Sequence, residues 1–216
     1  MKGWLIVAGL IMALGQACTA DNQAPTAPPE VATAPAPEEG GQANSPGGLE
    51  WIRKRYARVA EMEANGLLRC DSLIYECPAE PVNGLFTYCY AGDELVRASH
   101  GRSIASHSFA TEEYYYDGEE MYFAYLREGD WQFAQPPGPQ TDEVVSHTRD
   151  QIREERKYFE NGNLIERLFK DYELVSWEDR GPEDYPNSRQ GEPVRDVLGA
   201  EVVLAQRNAT DYNCPE

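Results

Sequence analysis

The chain has 216 residues, with 37 acidic and 19 basic side chains and a net charge of −18 at pH 7. This length suits one ordinary domain with appendages, and the acidic field disfavours nucleic acid and anionic lipid as partners. The sequence contains no Gly-rich phosphate loop, nucleotide fingerprint or nucleic-acid-binding motif. The charge favours basic partners or cations, although solubility alone also explains an acidic surface.

The N-terminus is predicted to be an export signal. A short basic start precedes an apolar run over residues 4–14, which is too short for a bilayer span of ~20 residues but suits a signal-peptide core. Leu-Gly-Gln-Ala then precedes Cys18, a pattern that resembles the lipobox of bacterial lipoproteins, with Gly15 where Leu is usual. We expect a signal peptide over 1–17 and a lipid on Cys18. Cleavage by an ordinary signal peptidase, for example after Ala20, is the alternative.

The next thirty residues are predicted to be a tether. Residues 19–48 are rich in Pro and Ala and lack apolar periodicity, so they cannot bury enough surface to fold. A lipidated, disordered tether over 18–48 would span about 90 Å when fully extended and would hold one globular domain, 49–216, clear of the headgroups. The expected location is the cell envelope, periplasmic or surface-facing, with the outer membrane favoured over the inner.

The domain is predicted to begin with a helix. Leu49, Ile52, Tyr56 and Val59 recur at helical spacing, and the Asn-Gly pair that follows residue 64 supplies a C-terminal stop. This pattern predicts an amphipathic helix over 48–64.

The middle of the domain is predicted to be an antiparallel β-meander. Three stretches, 86–98, 113–125 and 156–168, each contain aromatic residues, then Ala-Gly, Asp-Gly or Asn-Gly, then a second strand-like run. Asp-Gly and Asn-Gly are strong hairpin signals because a type I′ turn needs positive φ at both central residues. We therefore expect about six strands, with hairpins around Gly92, Gly118 and Gly162.

The C-terminal part is predicted to contain loops and one helix. Two Pro-rich stretches, 134–150 and 178–193, are expected to be long loops. Pro193 stands where a helix can start, and an apolar stripe predicts a helix over 193–207, with an edge strand as the alternative. The fold class is then α+β, with both helices covering one face of the sheet.

The cysteines are predicted to form two disulfides. The chain has five, an awkward number for an exported protein, and assigning Cys18 to a lipid leaves four for an oxidising compartment. Of the three possible connectivities we favour Cys77–Cys214 and Cys70–Cys89, because a hairpin would bring 70 and 89 together. No Cys-x-x-Cys pair supports a redox site or a zinc knuckle.

The hairpins carry the only family resemblance. Their Tyr-Tyr-Tyr-Asp-Gly and Tyr-Phe-Glu-Asn-Gly turns resemble the short repeats of MORN-type and antitoxin-like repeat proteins, and they are similar to hairpins of uncharacterised bacterial envelope lipoproteins. The resemblance covers roughly 86–170, and the Gly-x-Trp and Gly-x-Gly elements of true MORN units are missing. It implies a binding or scaffold role rather than a reaction.

We predict no catalytic residues, no metal site and no cofactor. One stretch is dense in Ser and His, with members His100, Ser103, Ser106 and His107. Local crowding does not establish the Ser–His geometry that a nucleophile needs, and no Gly-x-Ser-x-Gly elbow is present. The paired carboxylates are expected to form a solvated face; they lie at Glu112-Glu113, Glu119-Glu120, Glu154-Glu155 and Glu183-Asp184.

Tyrosines provide the candidate binding surface. Residues 114–116 alternate across both faces of one strand, and Tyr122 lies on its partner. One face should be core, and the other either exposes a stripe suited to sugars or proteins or is covered by helices, loops or a dimer. The candidate binding residues are Tyr114, Tyr116 and Tyr122.

The sequence favours a membrane-tethered, non-enzymatic envelope lipoprotein that binds a protein or polysaccharide. One alternative is a periplasmic inhibitor or immunity protein against a basic toxin or cell-wall hydrolase. Residues 49–216 hold 18 basic and 33 acidic side chains, a net charge of −15, and acidic surfaces speed the capture of basic partners. The other alternative is a hydrolase that uses the His100–His107 stretch.

Overall fold

The structure is a computed structural model that describes residues 48–78, 81–138 and 146–214. The predicted signal peptide, Cys18 and all but the last residue of the tether lie outside the described residues. Within those ranges, no helix is long and apolar enough to cross a bilayer.

Helix α1 (Leu49–Ala64) begins and ends within one residue of the predicted helix. Its buried stripe contains Ile52 and Val59, seven residues apart and therefore on one face. The helix ends at Asn65, whose backbone N–H donates to the carbonyl of Glu61 at 3.0 Å. Gly66 follows with a φ of 66°, the left-handed geometry that terminates many helices.

The sheet is an antiparallel meander of seven strands, each paired with the next in the order β1 to β7. The strands are β1 (Arg69–Cys77), β2 (Val82–Ala91), β3 (Glu94–Ile104), β4 (Ser108–Asp117), β5 (Glu120–Ala134), β6 (His147–Glu160) and β7 (Asn163–Val175). The expected meander is confirmed, but the expected number of about six strands is one too few. The strand left out of the count is β1, which lies outside the three counted hairpins, although the favoured Cys70–Cys89 pairing already implied it; it pairs with β2 along its whole length.

All three predicted hairpins are present. Gly92, Gly118 and Gly162 have φ values of 63°, 63° and 73°, which only glycine adopts without cost. Each turn is preceded by a register shift, between residues 89 and 90, 115 and 116, and 158 and 159. These bulges increase the local twist of the sheet.

The sheet is covered on both faces, which corrects the expectation that both helices would lie on one. Helix α1 packs on what we call the helix face, against a cluster that includes Tyr115, Phe123 and Tyr158. The chain after β7 then passes around the β7 edge. Lys170 donates to the carbonyl of Pro182 at 2.6 Å, and Phe169 forms an isolated antiparallel bridge with Ser188.

The last described residues, 192–214, cross the opposite face of the sheet; we call this segment the strap and the face it covers the strap face. Val194 and Val203 of the strap pack against the apolar cluster around Tyr88 and Tyr114. The predicted helix over 193–207 is reduced to α2 (Ala200–Ala205). The reason is that the backbone N–H groups of residues 194, 195, 196, 198 and 199 donate to side chains of the sheet and not to helical carbonyls.

Two disulfides join β1 to other parts of the domain, one to β2 and one to the C-terminal end of the strap. Cys70 bonds to Cys89 and Cys77 bonds to Cys214, the pairing favoured from the sequence. Cys70 and Cys89 are direct cross-strand partners in β1 and β2. Two disulfides indicate an oxidising compartment outside the cytoplasm.

Candidate functional site

The three predicted binding tyrosines are buried. Tyr114, Tyr116 and Tyr122 expose 4%, 6% and 3% of their surface. The strap covers Tyr114 and Tyr116, and α1 covers Tyr122. Of the two alternatives that the sequence left open, the open stripe is absent at these three residues and the covered arrangement is present. Alternation along a strand shows which side a residue faces but not what covers that side.

His100 lies in a buried chain of hydrogen bonds with two residues that the sequence did not associate with it. Its Nδ1 lies 2.8 Å from a carboxylate oxygen of Glu112, and its Nε2 lies 2.8 Å from the hydroxyl of Tyr75. An ionised carboxylate only accepts, so in the neutral ring Nδ1–H donates to Glu112 and Nε2 accepts from Tyr75. His100 and Glu112 are almost fully buried, and burial raises the pKa of Tyr75 to about 12.

The other members of the Ser/His stretch are elsewhere. Ser103 is exposed and lies an odd number of residues from His100 in the same strand, which places the two on opposite faces. Ser106 and His107 lie in the turn between β3 and β4. The structure therefore brings His100 together with a carboxylate and a tyrosine, and not with a serine.

Glu112 joins this chain to the strap. One carboxylate oxygen accepts the backbone N–H of Leu198 and the other accepts that of Gly199, both at 2.8 Å. The Tyr114 hydroxyl donates to the same carboxylate at 2.6 Å. Burial disfavours the ionised form and is the largest single influence, but the hydrogen bonds from His100, Tyr114 and the strap outweigh it and lower the pKa of Glu112.

Two further glutamates hold the strap in the same way. Glu128 on β5 accepts the backbone N–H groups of Arg195 and Asp196 at 2.8 and 3.0 Å. Glu155 on β6 accepts that of Val194 at 3.1 Å. Carboxylates from three adjacent strands thus satisfy the donors of a segment that forms no ladder with the sheet.

The expectation that the paired carboxylates form a solvated face holds for two pairs, Glu119-Glu120 and Glu183-Asp184, which are exposed, and is wrong for members of the other two. Glu112, Glu154 and Glu155 are buried. The sequence did carry a signal for these residues: each is a charged residue at a position of its strand that faces the core. Burying a charge is costly unless the charge is hydrogen-bonded. We assign the Glu112 network a structural role, because its four side chains, those of Tyr75, His100, Glu112 and Tyr114, are all buried.

The open part of the helix face is the candidate functional site. Ile74 and Leu85 are cross-strand partners in β1 and β2 and expose 74% and 41% of their surface. The strand register places them on the same face as Phe109, Trp131 and Phe133, beyond the end of the sheet that α1 covers. The sequence did not identify this site, because apolar residues in a strand are normally assigned to the core.

Aromatic side chains form the far end of this surface. Phe133 is 67% exposed, and its ring packs edge-on against Trp131 with a centroid distance of 5.3 Å. His107 stacks on Trp131 at 4.3 Å. Gly129 allows the ring of Phe109 to lie flat on the sheet, since a Cβ there would approach that ring to 2.7 Å. We call the set Ile74, Leu85, Phe109, Trp131, Phe133 and His107 the apolar patch.

The strap face carries an acidic groove, in contrast to the apolar patch on the helix face. A groove of about 390 Å³ lies beside the strap at the ends of β5, β6 and β7. Its exposed carboxylates are Asp130, Asp171 and Glu173, and its one cation, Arg153, pairs with Glu128 at 2.8 Å. Among the residues that the structure describes, no group of three or more His, Cys, Asp or Glu side chains is arranged to hold a metal ion.

Comparisons of the chain with protein-family models, with curated protein sequences and with solved structures found no match.

Proposed function

We propose that this protein is a non-enzymatic binding protein of the bacterial envelope, tethered to a membrane through Cys18, and that it contacts a partner protein through the apolar patch. The observation that carries the proposal is the exposure of Ile74 and Phe133 on one face of the sheet. Exposed apolar side chains grouped on one face of a sheet can mark an interaction site, and aromatic residues are enriched in interface cores. The aliphatic pair favours a protein over a polysaccharide, because sugars stack mainly on aromatic rings.

The test compares two exposed apolar residues, one inside and one outside the patch. A photo-crosslinking residue replaces either Phe133 or Leu164, which is 50% exposed at the start of β7, in cells that contain the full chain. We expect position 133 to yield one dominant adduct that position 164 does not yield. With the identified partner, Phe133→Ser should weaken binding at least about tenfold, and Leu164→Ser should leave it unchanged.

Other outcomes distinguish the alternatives. Identical adducts at positions 133 and 164 would remove the support for the patch. Retention of the chain on purified envelope polysaccharide, abolished by Trp131→Ala, would replace the protein partner with a sugar.

The lipid anchor is tested separately. Mass spectrometry of the protein from native membranes should find an acylated N-terminal peptide that begins at Cys18, and Cys18→Ser should release the protein from the membrane fraction. An intact Met1 on the membrane-extracted protein would contradict the anchor.

The acidic groove supports a second candidate, an inhibitor or immunity protein against a basic toxin or wall hydrolase. Exposed Asp171 and Glu173 fit a basic partner. In this case association should weaken steeply with added salt, and Asp171→Asn with Glu173→Gln should slow it. Salt-independent binding would count against this candidate.

A further inference from the structure

Strand β1 forms one edge of the sheet, and its outer side is open. β1 pairs only with β2, and within the described ranges of the chain no other segment forms a backbone hydrogen bond with it. The opposite edge is different, because β7 forms the bridge between Phe169 and Ser188 and Tyr185 donates to the carbonyl of Glu173. The described part of the chain thus covers the β7 edge and leaves the β1 edge open.

The pairing geometry shows which backbone groups of β1 point outward. Opposite residues in an antiparallel pair alternate between hydrogen-bonded pairs, with Cα atoms about 5.5 Å apart, and non-hydrogen-bonded pairs, about 4.5 Å apart. The Cα atoms of Cys70 and Cys89 are 4.1 Å apart, so the N–H and C=O of Cys70 point away from β2. The alternation continues without a register shift, and the same therefore holds for Ser72, Ile74 and Glu76. A separate contact agrees, since Sγ of Cys214 lies 3.9 Å from the carbonyl oxygen of Glu76.

β1 lacks the features that usually protect an open edge. Natural edge strands are blunted by Pro, by Lys or other charges along the strand, or by bulges. β1 contains neither Pro nor Lys, pairs with β2 without a bulge, and is uncharged over its centre, residues 72–75. A row of outward N–H and C=O groups on such a strand is a template for another extended backbone. This row therefore specifies the shape of its occupant, which an apolar surface alone does not.

The side chains beside the row indicate the chemistry of that occupant. Ile74, which is 74% exposed, and its cross-strand partner Leu85 belong to the apolar patch, and Glu76 faces the same side of the sheet. Glu76 is exposed and has no ion-pair partner among the described residues, whereas Arg69 and Asp71 pair with each other. The unbalanced charge at this edge is negative, and a strand with apolar and basic side chains on one face complements it.

We infer that an extended segment of the partner protein binds antiparallel to β1 as an eighth strand of the sheet. Its backbone exchanges hydrogen bonds with the outward groups of Cys70, Ser72 and Ile74. An apolar side chain packs on Ile74 and Leu85, and a basic side chain pairs with Glu76. In this mode main-chain hydrogen bonds supply affinity and alternate side chains supply specificity.

This inference rests on the proposed function, because it states how the partner at the apolar patch is held. A second copy of this chain is a poorer occupant. Residues 49–216 carry a net charge of −15, so two copies repel each other.

The experiment uses the synthetic peptide acetyl-Lys-Thr-Val-Thr-Val-Thr-Lys-amide, which places both valines and both lysines on one face of a strand. The isotopically labelled full chain is titrated with this peptide, and NMR follows the backbone amides of Cys70, Ser72 and Ile74. We expect saturable shifts at these three amides. A peptide N-methylated at both valines should bind at least about tenfold more weakly, because in the antiparallel arrangement these amides face β1 and donate to it. The matched control, N-methylated at two threonines whose amides face solvent, should bind as the parent peptide does.

Ser72→Pro tests the same row from the side of the protein. Proline lacks an N–H and is tolerated in an edge strand where the N–H faces solvent, so we expect the fold to persist and the affinity for the peptide to fall several-fold. Ser72→Ala keeps the N–H and should leave the affinity unchanged. Glu76→Gln should weaken binding several-fold at low salt. The dispersion of the amide resonances reports whether each variant is folded, and the methylated peptides keep the inference testable if Ser72→Pro does not fold.

Three results would overturn the inference: no saturable shift at the three amides, equal affinity for the two methylated peptides, or unchanged affinity in folded Ser72→Pro. Self-association of the full chain in sedimentation experiments, lost in Ser72→Pro, would replace the partner's strand with a second copy. Phe133→Ser should leave peptide binding unchanged, because β5 lies four strand spacings, roughly 19 Å, from β1. Failure of the apolar patch in the crosslinking experiment and failure of this edge are therefore distinguishable.

Discussion

Glu112→Gln is expected to weaken the attachment of the strap without changing the size of the side chain. The wild-type carboxylate accepts four hydrogen bonds, two on each oxygen, from His100, Tyr114 and the N–H groups of Leu198 and Gly199. A glutamine amide keeps one oxygen and presents an NH₂ group to the other two donors. The two charge-assisted hydrogen bonds that the replaced oxygen accepted are therefore lost. The new NH₂ group, itself a donor, then faces two other donor groups.

The expected cost is about 3 kcal/mol. A hydrogen bond to a charged group contributes ~1.5–3 kcal/mol, and we take the lower end for two bonds because the strap can relax. For a domain of this size, a loss of ~3 kcal/mol corresponds to a decrease in Tm of roughly 6 to 12 °C. Breaking a buried charged pair by removing one member costs a similar ~3–5 kcal/mol.

The measurement is urea unfolding of the oxidised protein at neutral pH. Glu113→Gln is the matched control, because Glu113 is the next residue and lies on the helix face, where it accepts a single hydrogen bond from Tyr115. We expect the control to lose less than about 1 kcal/mol. Equal losses in the two variants would refute the assigned role of Glu112.

The pH dependence of the free energy of unfolding, compared between wild-type protein and Glu112→Gln, tests the direction of the pKa shift of Glu112. The pKa of Glu112 is lowered in the folded protein from an ordinary value of 4.5, so its contribution to stability is present above pH 4.5 and is lost as the pH falls through the lower folded pKa. Wild-type protein should therefore lose stability more steeply below pH 4.5 than Glu112→Gln. A stability difference between the two that grows on acidification would contradict this assignment.

The remaining predictions concern the disulfide and a strand glycine. Removing the bond that closes 137 residues, with Cys77→Ala/Cys214→Ala, should lower the free energy of unfolding by up to about 5 kcal/mol in the chain-entropy model; a loss below 1 kcal/mol in urea unfolding would contradict it. Gly84→Ala should cost about 2 kcal/mol, because its Cβ would lie 2.5 Å from the ring of Tyr75. Gly101→Ala is the control, since its Cβ would meet its nearest neighbour at 3.7 Å; equal losses would be inconsistent with the packing.

The parts of the fold that the sequence predicted are those fixed by local chemistry. Asn-Gly and Asp-Gly turns require positive φ, and the hairpins at Gly118 and Gly162 follow directly. The apolar stripe of α1 ends where Asn65 caps it. The Cys70–Cys89 pairing followed from one inferred hairpin, because residues opposite each other in a ladder are fixed once the turn is known.

The strap was not predicted, because its conformation depends on distant residues. Its backbone donors are satisfied by glutamates as far away as Glu112, 86 residues before Leu198. The apolar stripe over residues 194–204 therefore predicted a long helix. In the structure, hydrogen bonds to the sheet take the place of its first turns, and only α2 remains. The same lack of long-range information left Tyr114 as a binding candidate and left the exposed Phe133 unnoticed.

The Cys77–Cys214 bond has a consequence for how the protein is made. Synthesis and export proceed from the N-terminus, so Cys70 and Cys89 are both available after the first hairpin has emerged, while the partner of Cys77 is the last cysteine of the chain. Throughout that interval Cys77 is a free thiol that can pair wrongly with Cys70 or Cys89. Each wrong disulfide must be exchanged before the Cys77–Cys214 bond can form. A host that lacks a thiol–disulfide isomerase should therefore accumulate misoxidised chains, even though every native cysteine is present.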